Sequence, residues 1–229
     1  MKNFLLSLKF IIKRVFRLTA ANIAWLIVTA LIVAIGTAAM GVEPVARGDY
    51  DYQSYLMMLP YWLVFLSFGL SSMYLDVYAS VYIRTSGLYK CLRTRAVQVF
   101  ILLFDVVTLI PAVIVTAVVN PAALPDFLLI SAIIIGISLP LESTYFLMWI
   151  VFFGYSIFNL ISGFFGDHFM VEGFKFLSTE LSDSLPVAAL LAVAILLAGL
   201  IVSFVVSDII FRIRKRPRDR QMLKGAMQA

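Results

Sequence analysis

Charge is scarce in this chain. Only 14% of its residues are Asp, Glu, Lys or Arg, where a soluble domain carries about a quarter. A water-facing surface for a chain of this size cannot be built from so few charges. Cys91 is the only cysteine, which excludes an internal disulfide. His168 is the only histidine, so a His/Cys metal site has no ligand set to draw on. There is no Gly-rich phosphate loop with a following Lys-Ser or Lys-Thr, so the chain is not expected to hydrolyse ATP itself. Ser162 and Gly163 lie near His168 only where an apolar run ends, so a Ser–His hydrolase pair reads as a chance juxtaposition. No enzymatic constellation is left, and no cofactor or metal is expected on this chain. Internal repeats and low-complexity tracts are also missing.

What the sequence does have is apolar length. Hydrophobic residues make up 62% of its 229 positions, the mean hydropathy is +1.01, and the apolar residues come in blocks rather than in alternation. The blocks predict an all-α polytopic membrane protein with six transmembrane helices of about 20 residues each. Three parts follow: an amphipathic helix over 1–19, a single six-span domain over 20–212, and a basic tail over 213–229. The first part carries five Lys or Arg and is too charged to be a span. On a helical wheel Lys2, Asn3, Ser7, Lys9, Lys13, Arg14 and Arg17 fall on one face. Apolar residues cover the other, with Leu6 and Phe10 as exceptions. This is the pattern of a helix lying in the headgroup plane. A cleavable signal peptide would have confined its basic residues to a short start.

The spans are expected at 20–40, 59–81, 96–118, a short fourth span from 127, a fifth at 145–165 and a sixth at 186–211. A polar loop covers 41–55, the connector 120–126 holds two prolines, and 166–184 is a mixed segment. Residues 127–165 are almost uncharged and too long for one span, so a hairpin bend is expected at 140–144, around Glu142. Sixteen of the 18 Lys and Arg lie in 2–18, in 84–95 and from Arg212 onward. Positive loops stay cytoplasmic, and an even span count puts all three segments, and both termini, on that side. The net charge of +5 therefore reports topology and contact with anionic lipid, not nucleic acid.

A few polar groups stand in apolar surroundings. Asp105 lies ten residues into the third span from Arg95, roughly 15 Å deep at 1.5 Å per residue. Near mid-membrane a carboxylate is costly and faces protein or a water-filled cavity. Asp105 is thus either a point on a transport path or a protonated structural group, hydrogen-bonded to Asn159 or to a serine of the second span. Asp76 and Asp208 sit near cytoplasmic ends and read as structural; Asp208 and Arg212 have helical i,i+4 spacing. Tyr50, Tyr52, Tyr55, Tyr61 and Trp62 read as an interfacial aromatic belt.

The basic N-terminal helix, the six spans, the cytoplasmic ends and the segment RTSGLYKCLRT (84–94) together resemble the permease subunits of ABC-2-type (type V-like) exporters, of the small bacterial six-span class. SLPLESTYF (138–146) is similar to their Pro-containing turn after the fourth span, but the basic residues usual there are absent. The resemblance implies a bacterial-type cytoplasmic membrane and a second permease subunit, identical or not. It also implies ABC ATPase partners that bind ATP and Mg, and export of an amphipathic substrate: a peptide, a lipid-like molecule or a drug. It implies that the ATPase docks on the N-terminal helix (Lys9, Lys13, Arg14, Arg17) and on Arg84, Ser86, Gly87, Leu88, Tyr89, Lys90, Leu92 and Arg93, with spans 2 and 5 lining the path. Two alternatives stay open: the substrate-binding membrane subunit of a vitamin-type importer, and a non-transport assembly or sensor protein. A channel is disfavoured, because no Gly-rich filter or row of intramembrane charges is visible.

Overall fold

A computed structural model of the chain describes residues 2–17, 19–42, 88–142 and 184–214, together with 56, 59, 60, 62–64, 66 and 67. Among them there is no strand. Among the described residues four helices are long and apolar enough to cross a membrane, which is compatible with a multi-pass membrane protein. Their outward faces carry large apolar side chains such as Val118 and Leu190, 77% and 72% exposed. A soluble protein does not leave such a surface uncovered.

Helix α1 (Lys2–Val15) packs on the bundle through Ser7, Ile11 and Val15, at i, i+4 and i+8. The wheel had placed Ser7 on the polar face, yet it is fully buried. Its hydroxyl donates to the Asn3 carbonyl at 2.8 Å, so burial leaves no polar group unsatisfied. Leu5, Leu6, Phe10, Ile12 and Phe16 remain exposed, so α1 has a second apolar face beside its cations. Helix α2 (Ala20–Val42) starts at Thr19, whose hydroxyl accepts the Asn22 backbone N–H at 3.3 Å. The Asn22 side chain reaches back to the Arg14 and Arg17 carbonyls at 2.8 and 3.0 Å. It caps the end of α1 and fixes the corner between the two helices. The bounds of α2 agree with the expected 20–40.

Helix α3 (Tyr89–Val119) begins earlier than the expected 96. Nothing between Leu88 and Val97 breaks a helix, so this part of the expected cytoplasmic segment forms the first turns of the span itself. Leu92–Ala96 is a π turn, in which the Val97 N–H reaches the Leu92 carbonyl five residues back. Asn120 ends α3, the 3₁₀ turn Pro121–Ala123 follows, and α4 (Leu124–Glu142) returns. The bend expected at 140–144 is not at Pro140: α4 runs through it to Glu142. A proline in the last turn forfeits one hydrogen bond without ending the helix. Helix α5 (Leu185–Arg214) agrees with the expected sixth span.

The contacts give the directions. Trp25 stacks on Phe104 with ring centroids 5.3 Å apart, and Met40 meets Thr116 at 3.8 Å. Contacts that advance together on both helices mean that α2 and α3 run parallel. The residues described between 56 and 67 run back between them, with Leu59 against Gly36 and Ser67 against Asp105. Helices α4 and α5 are also parallel, since Gly136 meets Gly199 and the Ser203 hydroxyl donates to the Leu139 carbonyl at 3.1 Å. The α4 window is 67% buried and the α5 window 11%. Thus α4 is the more enclosed helix; the buried side of α5 carries the small residues Ala188, Ala192, Gly199, Ser203 and Ser207, with Ile195 against Gly136 of α4 and Ser207 towards Gln98 of α3. Small residues let helix backbones approach closely where lipid supplies no hydrophobic drive.

Gly36 tests how hard these contacts are. A Cβ there would lie 2.6 Å from Leu59 Cδ1, the movable end of a side chain. Gly36→Ala also gains about 0.5–1 kcal/mol of helix propensity. The two effects are expected to cancel, leaving thermal stability in detergent within a few degrees of wild type; loss of the fold would show that Leu59 cannot turn.

Candidate functional site

Two polar sites stand out. The first is the basic end of the bundle, where α1, the head of α3 and the end of α5 meet. Helix α1 packs against Leu92–Ala96, and so does α5. The Tyr89 ring lies 5.7 Å from the ring of Phe211. Arg93 Nη1 donates to the Tyr89 hydroxyl at 2.9 Å, and its guanidinium lies 6.0 Å from the centre of the same ring. Lys90 Nζ is 3.9 Å from Asp208 Oδ1. Asp208 therefore pairs across helices with Lys90 rather than within α5 with Arg212, the partner expected from spacing. At that distance, with the Lys90 side chain 58% exposed, the pair adds little stability. Gln98 ties the end together from inside. Its Nε2 donates to the Ser207 hydroxyl at 2.8 Å and to the Arg93 carbonyl at 3.2 Å, across the π turn.

The residues expected to dock a partner divide on exposure. Lys9, Lys13, Arg17 and Lys90 are exposed, as is Arg95 beside them, while Arg14, Leu88, Tyr89 and Arg93 are half-buried. Leu92 is 2% exposed and belongs to the interior. Its apolar character, read as part of a docking face, is spent on packing within the chain. Arg84, Ser86 and Gly87 lie outside the described residues. The structure thus brings α1 and the head of α3 side by side, and α5 braces them from behind. Sequence reading missed Gln98 and Asp208 as ties of this end. A lone polar residue two positions into an apolar run is the signal that could have found Gln98.

The second site is Asp105, fully buried in α3. The Ser67 hydroxyl donates to its Oδ1; this is a serine of the expected second span. Its Oδ2 is buried with no hydrogen-bond partner. Thr108 donates to the Asp105 backbone carbonyl at 3.0 Å and leaves the carboxyl alone. Asp76 and Asn159 lie outside the described residues. Among the described residues no cluster of His, Cys, Asp or Glu could hold a metal ion.

Between α1, α2 and α3 runs an apolar groove of about 1180 Å³, lined by Leu8, Ile12 and Phe16 at one end and by Gly41 and Val115 at the other. Comparison with known proteins finds no matching protein family, no matching curated protein and no matching solved structure.

Proposed function

We propose that this chain is the transmembrane permease subunit of an ABC-type exporter. It pairs with a second permease and with separate ATPase subunits, and it moves an amphipathic peptide, lipid-like molecule or drug across a bacterial-type cytoplasmic membrane. The observation that carries the reading is the joint basic surface at one end of the bundle. Helix α1 and the head of α3 are far apart in sequence yet packed together, and both connect rigidly to spanning helices. A partner that pushes on this surface moves α2 and α3 with it. The positive-inside rule makes this end cytoplasmic, with both chain termini there, and its exposed apolar residues suit α1 to the membrane surface.

The parallel pairs support six spans. The residues described between 56 and 67 run back between parallel α2 and α3. Parallel α4 and α5 likewise require a return between 143 and 184, where the sequence offers an apolar run at 145–165. The direction of transport and the substrate class come from the resemblance and stand as part of the proposal.

The test is to extract the tagged protein from its native membranes in mild detergent and identify what accompanies it. A stoichiometric ATP-binding subunit is expected with wild type. Charge reversal at the exposed positions, Arg17→Glu with Arg95→Glu, is expected to cut its recovery about tenfold, as like-charge juxtaposition does at an interface. These positions keep the buried Leu92 intact, so helicity stays at the wild-type level. If wild type brings down no ATPase, the exporter reading falls. If the double variant recovers as much as wild type, the coupling surface lies elsewhere.

A further inference from the structure

We propose that the groove between α1, α2 and α3 is a binding site for one anionic phospholipid, with its acyl chains along Ala30, Ala34 and Val107 and its headgroup at Lys9 and Lys13. The inference rests on the reading that α2 and α3 span a bilayer with α1 at its surface. The shape comes first. The groove's lining runs from Leu26 to Gly41 on α2 and from Phe100 to Val115 on α3. That is about 22 Å along each helix at 1.5 Å per residue, more than one leaflet of a hydrocarbon core about 30 Å thick. Its volume exceeds the ~300–1,000 Å³ of drug-sized sites, leaving room for two chains.

The chemistry follows. No charged residue lines the groove. Two of its threonines turn their hydroxyls into their own helices: Thr29 donates to the Trp25 carbonyl at 2.9 Å and Thr108 to the Phe104 carbonyl at 2.8 Å. They present methyl groups, and the small side chains of Ala30 and Ala34 leave the floor open. An occupant must therefore be apolar along most of its length.

The two ends differ. At the α1 end the groove is closed by Ile12 and Phe16, which are still 43% and 57% exposed. Lys9 and Lys13 lie about 20° and 60° round the helix from Phe16, in the same direction, and both are exposed, so two ammonium groups stand together along one edge of that rim. The opposite end, at Gly41 and Val115, has no cation in its lining. An apolar body with one anionic end, entering from the side where the cations lie, is an anionic lipid of the α1-side leaflet. Bound there, it would hold α1 against α2 and α3.

The experiment is native mass spectrometry of the full chain, delipidated in detergent and titrated with phosphatidylglycerol or phosphatidylcholine. Alkaline carbonate extraction of the source membranes runs alongside. Wild type is expected to retain one phosphatidylglycerol and to prefer it over phosphatidylcholine. Lys9→Gln with Lys13→Gln is expected to weaken that binding about 30-fold, the share of two cations near a lipid surface. The corresponding Lys→Arg pair is expected to restore it. Ala34→Trp, which fills the floor, is expected to abolish retention at unchanged helicity, and Ala30→Leu serves if the tryptophan variant does not fold. Equal retention of the two lipids, or full retention in the Lys→Gln pair, overturns the headgroup site. Full retention in Ala34→Trp and Ala30→Leu overturns the groove. An Ala38→Cys variant, at an exposed position of the lining, that cross-links to a second copy shows a protein occupant and overturns the lipid. Release of the chain by carbonate removes the spanning reading itself, a failure that the lipid titration alone would not produce.

Discussion

Gly199→Val is expected to separate α5 from α4 and to cost about 1–3 kcal/mol, the range for overpacking a tight contact. A Cβ on Gly199 would collide with the Gly136 carbonyl oxygen and lie 2.8 Å from the Gly136 Cα. These are backbone atoms and cannot turn away, so the helices themselves must part. The contact has a chemical origin. Pro140 has no N–H, so the Gly136 carbonyl four residues earlier lacks its helical partner. Facing Gly199, that oxygen sits where Cα–H donors of α5 can approach it, a weak interaction that needs close backbones. Helix propensity works in favour of any replacement of glycine by about 0.5–1 kcal/mol, which is too little to offset two helices moved apart. The measurement is thermal unfolding in detergent beside Gly36→Ala. The expected order is wild type and Gly36→Ala together, with Gly199→Val clearly below. A Gly199→Val protein that melts with wild type would mean that α4 and α5 do not meet as described.

The second large effect concerns activity rather than stability. Asp105→Asn is expected to assemble like wild type and to lose transport. Asparagine keeps an oxygen for the Ser67 hydroxyl, so the tie between α3 and the helical residues near 67 survives. What it removes is an acidic oxygen that is fully buried and has no partner. Buried polar atoms left unpaired are rare, and within a membrane they cluster at functional positions. Asp105→Leu serves as the structural control. It removes the tie as well, with an expected loss of about 0.6–1.7 kcal/mol, the measured span for polar pairs between membrane helices. On the proposed exporter reading, export assayed in vesicles together with whatever ATP-binding subunit accompanies the chain decides the matter. Full export by Asp105→Asn would take the carboxyl out of any mechanism and leave it as a helix tie.

Much of the architecture was legible because lipid-facing helices are written in long uncharged runs. The bounds of α2 and α5 follow from where charge stops and starts, and the Ser67–Asp105 contact from the cost of an acid at that depth. Other features were not legible, for identifiable reasons. Ser7 looks polar on a wheel, but its hydroxyl is satisfied by Asn3 within its own helix and can be buried. Pro140 looks like a bend, but its position in the last turn of α4 lets the helix continue. Asp208 has a good partner four residues on, yet the fold brings Lys90 into range from another helix. Leu92 reads as part of a docking face because sequence does not reveal that it is buried, in a turn against which α1 and α5 pack. The candidate site was thus legible as a basic segment, whereas its bracing by Gln98, Phe211 and Asp208 depends on contacts between distant parts of the chain.

The π turn at Leu92–Ala96 adds one residue to a helical circuit. The head of α3, with Tyr89 and Lys90, is therefore out of phase with the shaft that carries Asp105. Deleting a single residue there would restore ordinary α pitch and leave the head close to its present direction, because five residues spread over a π turn rotate about as far as four at about 100° each; the same deletion further along the shaft would swing the head by about 100°. The turn thus takes up one residue of chain length at the junction, so the basic head keeps its direction relative to the bundle whether or not the extra residue is there.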